Sequence, residues 1–334
     1  MRRFAAVLAT LALALGLAGP APEAAAQSGE AITPGIVYAV GEKFDGSFNE
    51  GAYNALEAFE AETGIDYLEY SPTNPTEFEQ GVERLVRRGV DTVICVGFYY
   101  AQPLSELAAR HPDVRFTIVD AVAEADNVRS VLFREHEGSF LTGMLAAMKS
   151  ETGTVGFVGA IDIPLIRKFV TGFEEGARHV DPDVEYLVNF VGTTPAAFND
   201  PTTGNELAVS QIERGADVIF AGAGNSNRGI FQAAIDEGVY AIGVDSNQNG
   251  EAPGTILTSM LKRVDVAVRR SLDAARDGTW EPGIVSLGLA EKGVGYALDE
   301  NNWPLMTPEM ITAVEGAMID IVEGRIEVTD ASAE

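Results

Sequence analysis

The chain has 334 residues, 46% of them hydrophobic, with 23 basic against 50 acidic side chains and a formal charge of −27. That length supplies a sizeable core and room for about two domains, and a polyanion of this size is repelled by nucleic acid and by anionic lipid, which sets both aside as partners. The single cysteine, Cys95, excludes an internal disulfide and sits in the apolar run 92–96, where it reads as a buried structural thiol.

At the N-terminus, Arg2 and Arg3 precede an apolar run over 4–17, then Pro20 and Pro22, then Ala24-Ala25-Ala26. This is the layout of a secretory signal peptide. The apolar run is shorter than the roughly 20 residues a spanning helix needs. Cleavage after Ala26 is expected, giving a mature form that begins at Gln27 and works in the periplasm. No cysteine stands near the cleavage site, so no lipid anchor is expected.

Apolar runs then alternate with amphipathic stretches. A strand is predicted over 35–40 and a helix over 48–62, with Ala52, Leu56 and Phe59 on its apolar face and Ser47 placed to cap it. A strand over 65–70 leads to a helix over 76–88, where Thr76 and Glu79 have capping-box spacing. A strand over 91–96, a helix over 104–111 and a strand over 115–119 follow. A strand over 128–133 leads into a helix over 138–149 that leaves the first domain. The pattern then restarts, with strands over 154–159, 185–191, 217–221 and 240–244 separated by helices over 165–179, 204–214 and 228–237. A strand over 256–260, a helix over 264–275 and a last helix over 310–324 complete it. The acidic tail, 326–334, is expected to be disordered.

Such alternation implies parallel sheets with helices on both faces. The segment RRGVDTVI at 87–94 aligns with ERGADVIF at 213–220. Each is followed by a glycine-containing loop, a helix and a strand ending in aspartate, Asp120 and Asp245. The chain therefore reads as two copies of one doubly wound α/β unit. The expected domains are 31–134 plus 262–290, and 135–261 plus 291–325.

In these sheets ligands bind outside the carboxyl ends of the strands, and two facing units place the ligand between them. The loops at those ends carry the aromatics Phe44, Phe48, Phe98, Tyr99, Tyr100 and Phe169. They also carry Asp45, Asn49, Asp120, Asn225, Asp245 and Asn247. Flat faces beside directional hydrogen-bonding groups suit a planar or ring-shaped polar solute. Base–aromatic stacking contributes roughly 1–3 kcal/mol per base, and sugars use such sites too. His111, His136 and His179 are not at metal-ligand spacing, and neither a nucleophile elbow nor a Walker loop occurs. Gly222 and Gly224 begin a dinucleotide fingerprint, but Asn227 stands where its third glycine belongs. A binding protein without metal or cofactor is expected, rather than an enzyme.

Several stretches taken in order carry a family likeness: DGSFN at 45–49, FREHEGSFL at 133–141, GFVG at 156–159, IPLIRKF at 163–169, GVDSNQ at 243–248 and TSMLKR at 258–263. On these the chain resembles the basic membrane protein family of substrate-binding proteins that serve ABC importers. The resemblance implies a type I periplasmic-binding fold, two domains joined by three crossovers, with the membrane permease of an ABC importer as partner; a monomer is expected. In nucleoside-binding members two aromatics sandwich the base, and Phe48 and Phe169 match them. Asp45, Asn49 and Asp120 match residues near the base edge, and Asp245 and Lys262 match residues that hold the ribose hydroxyls. Phe98, Gly224 and Asn225 complete the expected site, for a nucleoside with purine favoured; the alternatives are a free nucleobase or other solute, a sensor that presents its ligand to a membrane receptor and, last, an exported nucleoside-acting enzyme. The chain departs from the family in its acidity, in lacking a lipid-bearing cysteine, and in reading Gly224-Asn225-Ser226-Asn227 where a Gly-Gly-Thr-Gly loop is common.

Overall fold

The computed structural model describes residues 31–333, so the signal-peptide expectation for 1–26 lies outside the described residues. The first lobe begins with β1 (Pro34–Val37), α1 (Phe48–Thr63), β2 (Leu68–Tyr70), α2 (Phe78–Arg87) and β3 (Thr92–Val96). It continues through α3 (Ala101–Arg110), β4 (Arg115–Val119) and β5 (Val128–Phe133), after which α4 (Glu135–Lys149) enters the second lobe. There the chain forms β6 (Thr154–Ile161), α5 (Pro164–Val180), β7 (Glu185–Gly192), α6 (Pro201–Glu213) and β8 (Val218–Gly222). Next come α7 (Asn227–Glu237), β9 (Tyr240–Asp245) and β10 (Ile256–Lys262), and then α8 (Val264–Arg276) and β11 (Gly283–Leu287), back in the first lobe. β12 (Val294–Tyr296) and α9 (Pro308–Val322) return to the second.

The first sheet has the order β11-β5-β4-β3-β1-β2, and the second β12-β10-β9-β8-β6-β7. All paired strands run parallel except β12, which is antiparallel to β10. Helices cover both faces, so β1, β3, β6 and β8 are buried along their whole length and read as unbroken apolar runs. The repeat seen in the sequence has a structural counterpart. Gly89 and Gly215 both take left-handed backbone, with φ of 89° and 106°, just before an aspartate whose N–H bonds a neighbouring strand. The chain passes between the lobes at 133–135, 262–264 and 287–294, and these crossings are tied together. The Arg134 N–H donates to Leu287 O (3.0 Å) and the Arg263 N–H to Gly293 O (2.8 Å).

Helices α4 and α5 pack with their backbones nearly touching. A Cβ at Gly172 would run into the carbonyl of His136, and one at Gly176 into that of Phe140. This close approach seats the N-terminal half of α5 under the cleft.

Two local expectations are corrected. Thr76 and Glu79 form no capping box: Pro75 starts a short 3-10 turn capped by Asn74, whose side chain accepts from the Thr76 N–H (3.1 Å), and Glu79 pairs with Arg110 instead. The tail expected to be disordered is ordered through residue 333. Ile326 and Val328 pack against the main core, and the Thr329 N–H donates to Glu175 on α5 (3.0 Å). Two apolar residues spaced to face one side are enough to dock an otherwise polar segment.

Candidate functional site

The carboxyl ends of the two sheets face one another across a cavity that is partly open to solvent. Asp45, Phe48, Asn49, Phe98, Asp120, Phe169, Gly224, Asn225, Asp245 and Lys262 all line it. Three other loop candidates lie elsewhere. Tyr100 is buried in the first-lobe core, stacked on Phe78 at 4.0 Å, with its hydroxyl donating to Tyr38 O (2.8 Å). Phe44 is exposed and edge-on to Tyr53. Asn247 donates to Asp299 (2.5 Å).

The wall that carries Phe48 is braced from within. The Asp45 carboxylate accepts from the N–H groups of Ser47 (2.9 Å), Asn49 (3.1 Å) and Glu50 (3.2 Å), satisfying the free donors at the start of α1. The expected cap, Ser47, makes no such bond; its hydroxyl donates across the cleft to Asp245 Oδ2 (2.6 Å). Asn49 ties down the preceding loop, accepting from the Ala39 N–H (3.0 Å) and donating to Ala39 O (3.2 Å) and Glu42 O (3.1 Å). Asp45 and Asn49 therefore spend their polar atoms on aiming Phe48.

Asp120 and Asp245 occupy equivalent places at the ends of β4 and β9. Both adopt left-handed backbone, with φ of 72° and 65°. Such strain in a non-glycine residue costs roughly 1–3 kcal/mol and gathers at functional sites. Lys262, at the end of β10, donates to Asp120 Oδ2 (2.6 Å). Its ammonium also forms an ion pair with Glu135 Oε1 (3.0 Å), though not in hydrogen-bond alignment. It lies 5.2 Å from the centres of the Phe48 and Phe133 rings and 5.6 Å from that of Phe169. Burial pushes the Asp120 and Asp245 carboxyls up to about 6 against the pull of Lys262. Burial also disfavours the charged Lys262, but Asp120, Glu135 and Asp245 outweigh it and hold the ammonium above its ordinary value.

On the opposite wall, Phe169 projects from α5 and meets Phe220 edge-on. The rings of Phe98 and Tyr99 lie 3.9 Å apart and reach over to pack on the second-lobe core. Gly224 turns with a φ of 59° close to Phe198, and Asn225 donates to Asn199 Oδ1 (2.6 Å). Asp120 Oδ1, Asn225 Oδ1 and the Tyr99 hydroxyl are buried without a hydrogen-bond partner among the described residues. Buried polar atoms are normally satisfied, so three unpaired ones on residues that line one cavity stand out. Sequence reasoning missed Phe198, which also lines the cavity, and the Glu135 beneath it. Phe198 follows the end of β7, so the strand-end rule applied there would have found it.

The lobes are also joined by direct hydrogen bonds beside the second crossing. The Ser246 hydroxyl donates to Ser47 O (3.0 Å) and the Gln248 side chain to Gly46 O (3.3 Å). Aromatic walls beside polar strand-end groups, held between two lobes, can enclose a polar solute.

The family model described as "ABC transporter substrate-binding protein PnrA-like" matches residues 32–331. An uncharacterized lipoprotein of Pyrococcus abyssi is 34% identical over 273 residues, covering 78% of this chain and 68% of its own. The ABC transporter nucleoside-binding protein BmpA of Lactococcus lactis is 28% identical over 307 residues, covering 85% of each. The crystal structure of an ABC transporter system solute-binding protein from Aeropyrum pernix superposes with a TM-score of 0.81 at 29% identity, covering 90% of this chain and 94% of that one. The chain belongs to the PnrA-like family of ABC transporter substrate-binding proteins.

Proposed function

We propose that this substrate-binding protein captures a nucleoside, with a purine favoured, in the cleft between its lobes and hands it unchanged to a membrane permease. It would do so as a free periplasmic monomer after cleavage of residues 1–26. The observation that carries the reading is the pairing of aromatic walls, Phe48 and Phe169, with unpartnered acceptors at Asp120 and Asn225. A base needs both a stacking face and an edge partner, and the name of the Lactococcus relative points the same way. Asp245 Oδ1 and the remaining face of Lys262 are the groups for ribose hydroxyls.

A second reading, a free nucleobase, is favoured by one observation: Lys262 is already engaged by Asp120 and Glu135, which lessens what it can give a ribose. Native mass spectrometry of ligand carried through purification, then calorimetry with inosine, guanosine, adenosine, uridine and their bases, separates the two. Nucleosides are expected to bind at least tenfold tighter than their bases, because a site built for hydroxyls is left with unpaired polar groups when they are missing. Hypoxanthine binding as tightly as inosine would favour the second reading. Conversion of inosine to hypoxanthine during the titration would overturn both.

A further inference from the structure

The motif at 133–141 contributes no side chain to the cavity wall, yet it contains a carboxylate with no solvent exposure. Glu135 stands at the first crossing between the lobes, where β5 ends and α4 begins. Its side chain is 0% exposed, and its two oxygens face two lysines. Oε1 lies 3.0 Å from Lys262 Nζ at the second crossing, and Oε2 accepts from Lys168 Nζ at 3.1 Å. Lys168 precedes Phe169 on α5 and also donates to Phe133 O (2.9 Å).

We propose that Glu135 is a positioning residue for the cleft, its one carboxylate fixing both the Lys262 ammonium against Asp120 and the stretch of α5 that presents Phe169. Lys262 has a carboxylate partner from each side of the hinge: Asp120 in the first lobe, and Glu135 at the start of the second. When the lobes separate, Glu135 keeps the buried ammonium paired. When they close, Lys262 is already in place to receive Asp120 Oδ2, which turns Asp120 Oδ1 toward the ligand. An unpaired buried ammonium would otherwise oppose opening or draw in water. The proposal rests on the cleft being the ligand site, as read above.

The charged groups facing Asp120 are Lys262, Glu135 and Asp245; those facing Glu135 are Lys262 and Lys168, with Asp330 of the tail 3.9 Å beyond Lys168 and His136 beside it. The negative charge of Glu135 raises the Asp120 carboxyl. Removing that charge must therefore lower the pH at which Asp120 titrates.

The test is a carbon-detected NMR titration of the Asp120 carboxyl in the ligand-free protein, for wild type, Glu135→Gln and Glu135→Asp, alongside calorimetry with inosine at pH 7.5. Glu135→Gln is expected to shift the Asp120 midpoint down by about one pH unit, the size of a near like-charge effect, and to weaken inosine at least tenfold. Glu135→Asp, which withdraws the carboxylate by one methylene, is expected to do both to a smaller degree, and it serves if the glutamine variant does not fold. Either an Asp120 midpoint that stays at the wild-type value or an inosine affinity that is unchanged, in a folded variant, overturns the proposal. If the wild type itself does not bind inosine, the nucleoside reading fails, and the ligand-free titration still decides the role of Glu135.

Discussion

Asp245 illustrates how one residue can serve two ends. Its carboxylate takes the Ser47 hydroxyl from the other lobe and sits at the cavity in strained backbone. Burial holds it at about 6 in the folded protein, against 3.8 ordinarily. An acid raised on folding binds its proton more readily in the folded state, so its contribution to stability is lost as pH rises from about 4 through about 6. Asp245→Asn removes that penalty. The ligand-free variant is therefore expected to melt a few degrees above wild type at pH 7.5, with the gap closing as the pH falls below about 4; thermal melts across that range check it. A stability gap that is independent of pH would show that the carboxylate is not desolvated as the structure has it. The same shift has the opposite consequence for ligand: if ionised Asp245 and Asp120 accept from it, nucleoside affinity falls as the pH drops through about 6.

At the scale of the element, α4 and α5 decide how firmly the second wall is held. Gly172 and Gly176 let the two helix backbones approach until a single added methyl group would strike a carbonyl. Lys168 and Phe169 lie on the same helix one turn earlier. Gly176→Ala is expected to destabilise the protein by about 1–3 kcal/mol, the usual cost of overpacking, and to loosen nucleoside binding by displacing Phe169. Denaturant melts and calorimetry measure the two effects, and a variant of wild-type stability would mean that the helices can part without cost. The strand–helix order was legible because buried parallel strands read as short apolar runs and helices repeat every 3.6 residues. Edge strand β11, largely exposed, and three-residue β12 were not, since neither has a long enough buried pattern. The glycines at 172 and 176 carry no local signal of the His136 and Phe140 carbonyls they accommodate, because those partners lie on another helix.

For the whole molecule, three crossings tied by two backbone hydrogen bonds make a hinge, and the bonds from Ser47, Ser246 and Gln248 join the lobes directly beside the second crossing. These interlobe bonds are few and only partly buried, so the lobes should open and close readily. Small-angle scattering is expected to show a smaller radius of gyration at saturating nucleoside than without ligand. Ser47→Ala, which removes one interlobe bond while leaving the cavity walls intact, should weaken binding about threefold to tenfold, as loss of one hydrogen bond does. An identical scattering profile with and without ligand would count against closure.

What the sequence by itself determined was the two-copy α/β plan and the segments at the strand ends, where Phe48, Asp120, Phe169 and Asp245 lie. Hydrophobic periodicity and the internal repeat are local signals, and strand ends in such sheets converge on one side. Only the tertiary structure decided what each of these side chains holds. Ser47 passed from helix cap to interlobe bond with Asp245, and Asp45 took over the cap. Lys262 found Asp120, 142 positions away, and Glu135 beneath both. Charged and hydroxyl side chains can pair with many partners at similar local cost. Which pairing wins is set by burial, which removes water as a competitor, and burial exists only once the lobes have come together.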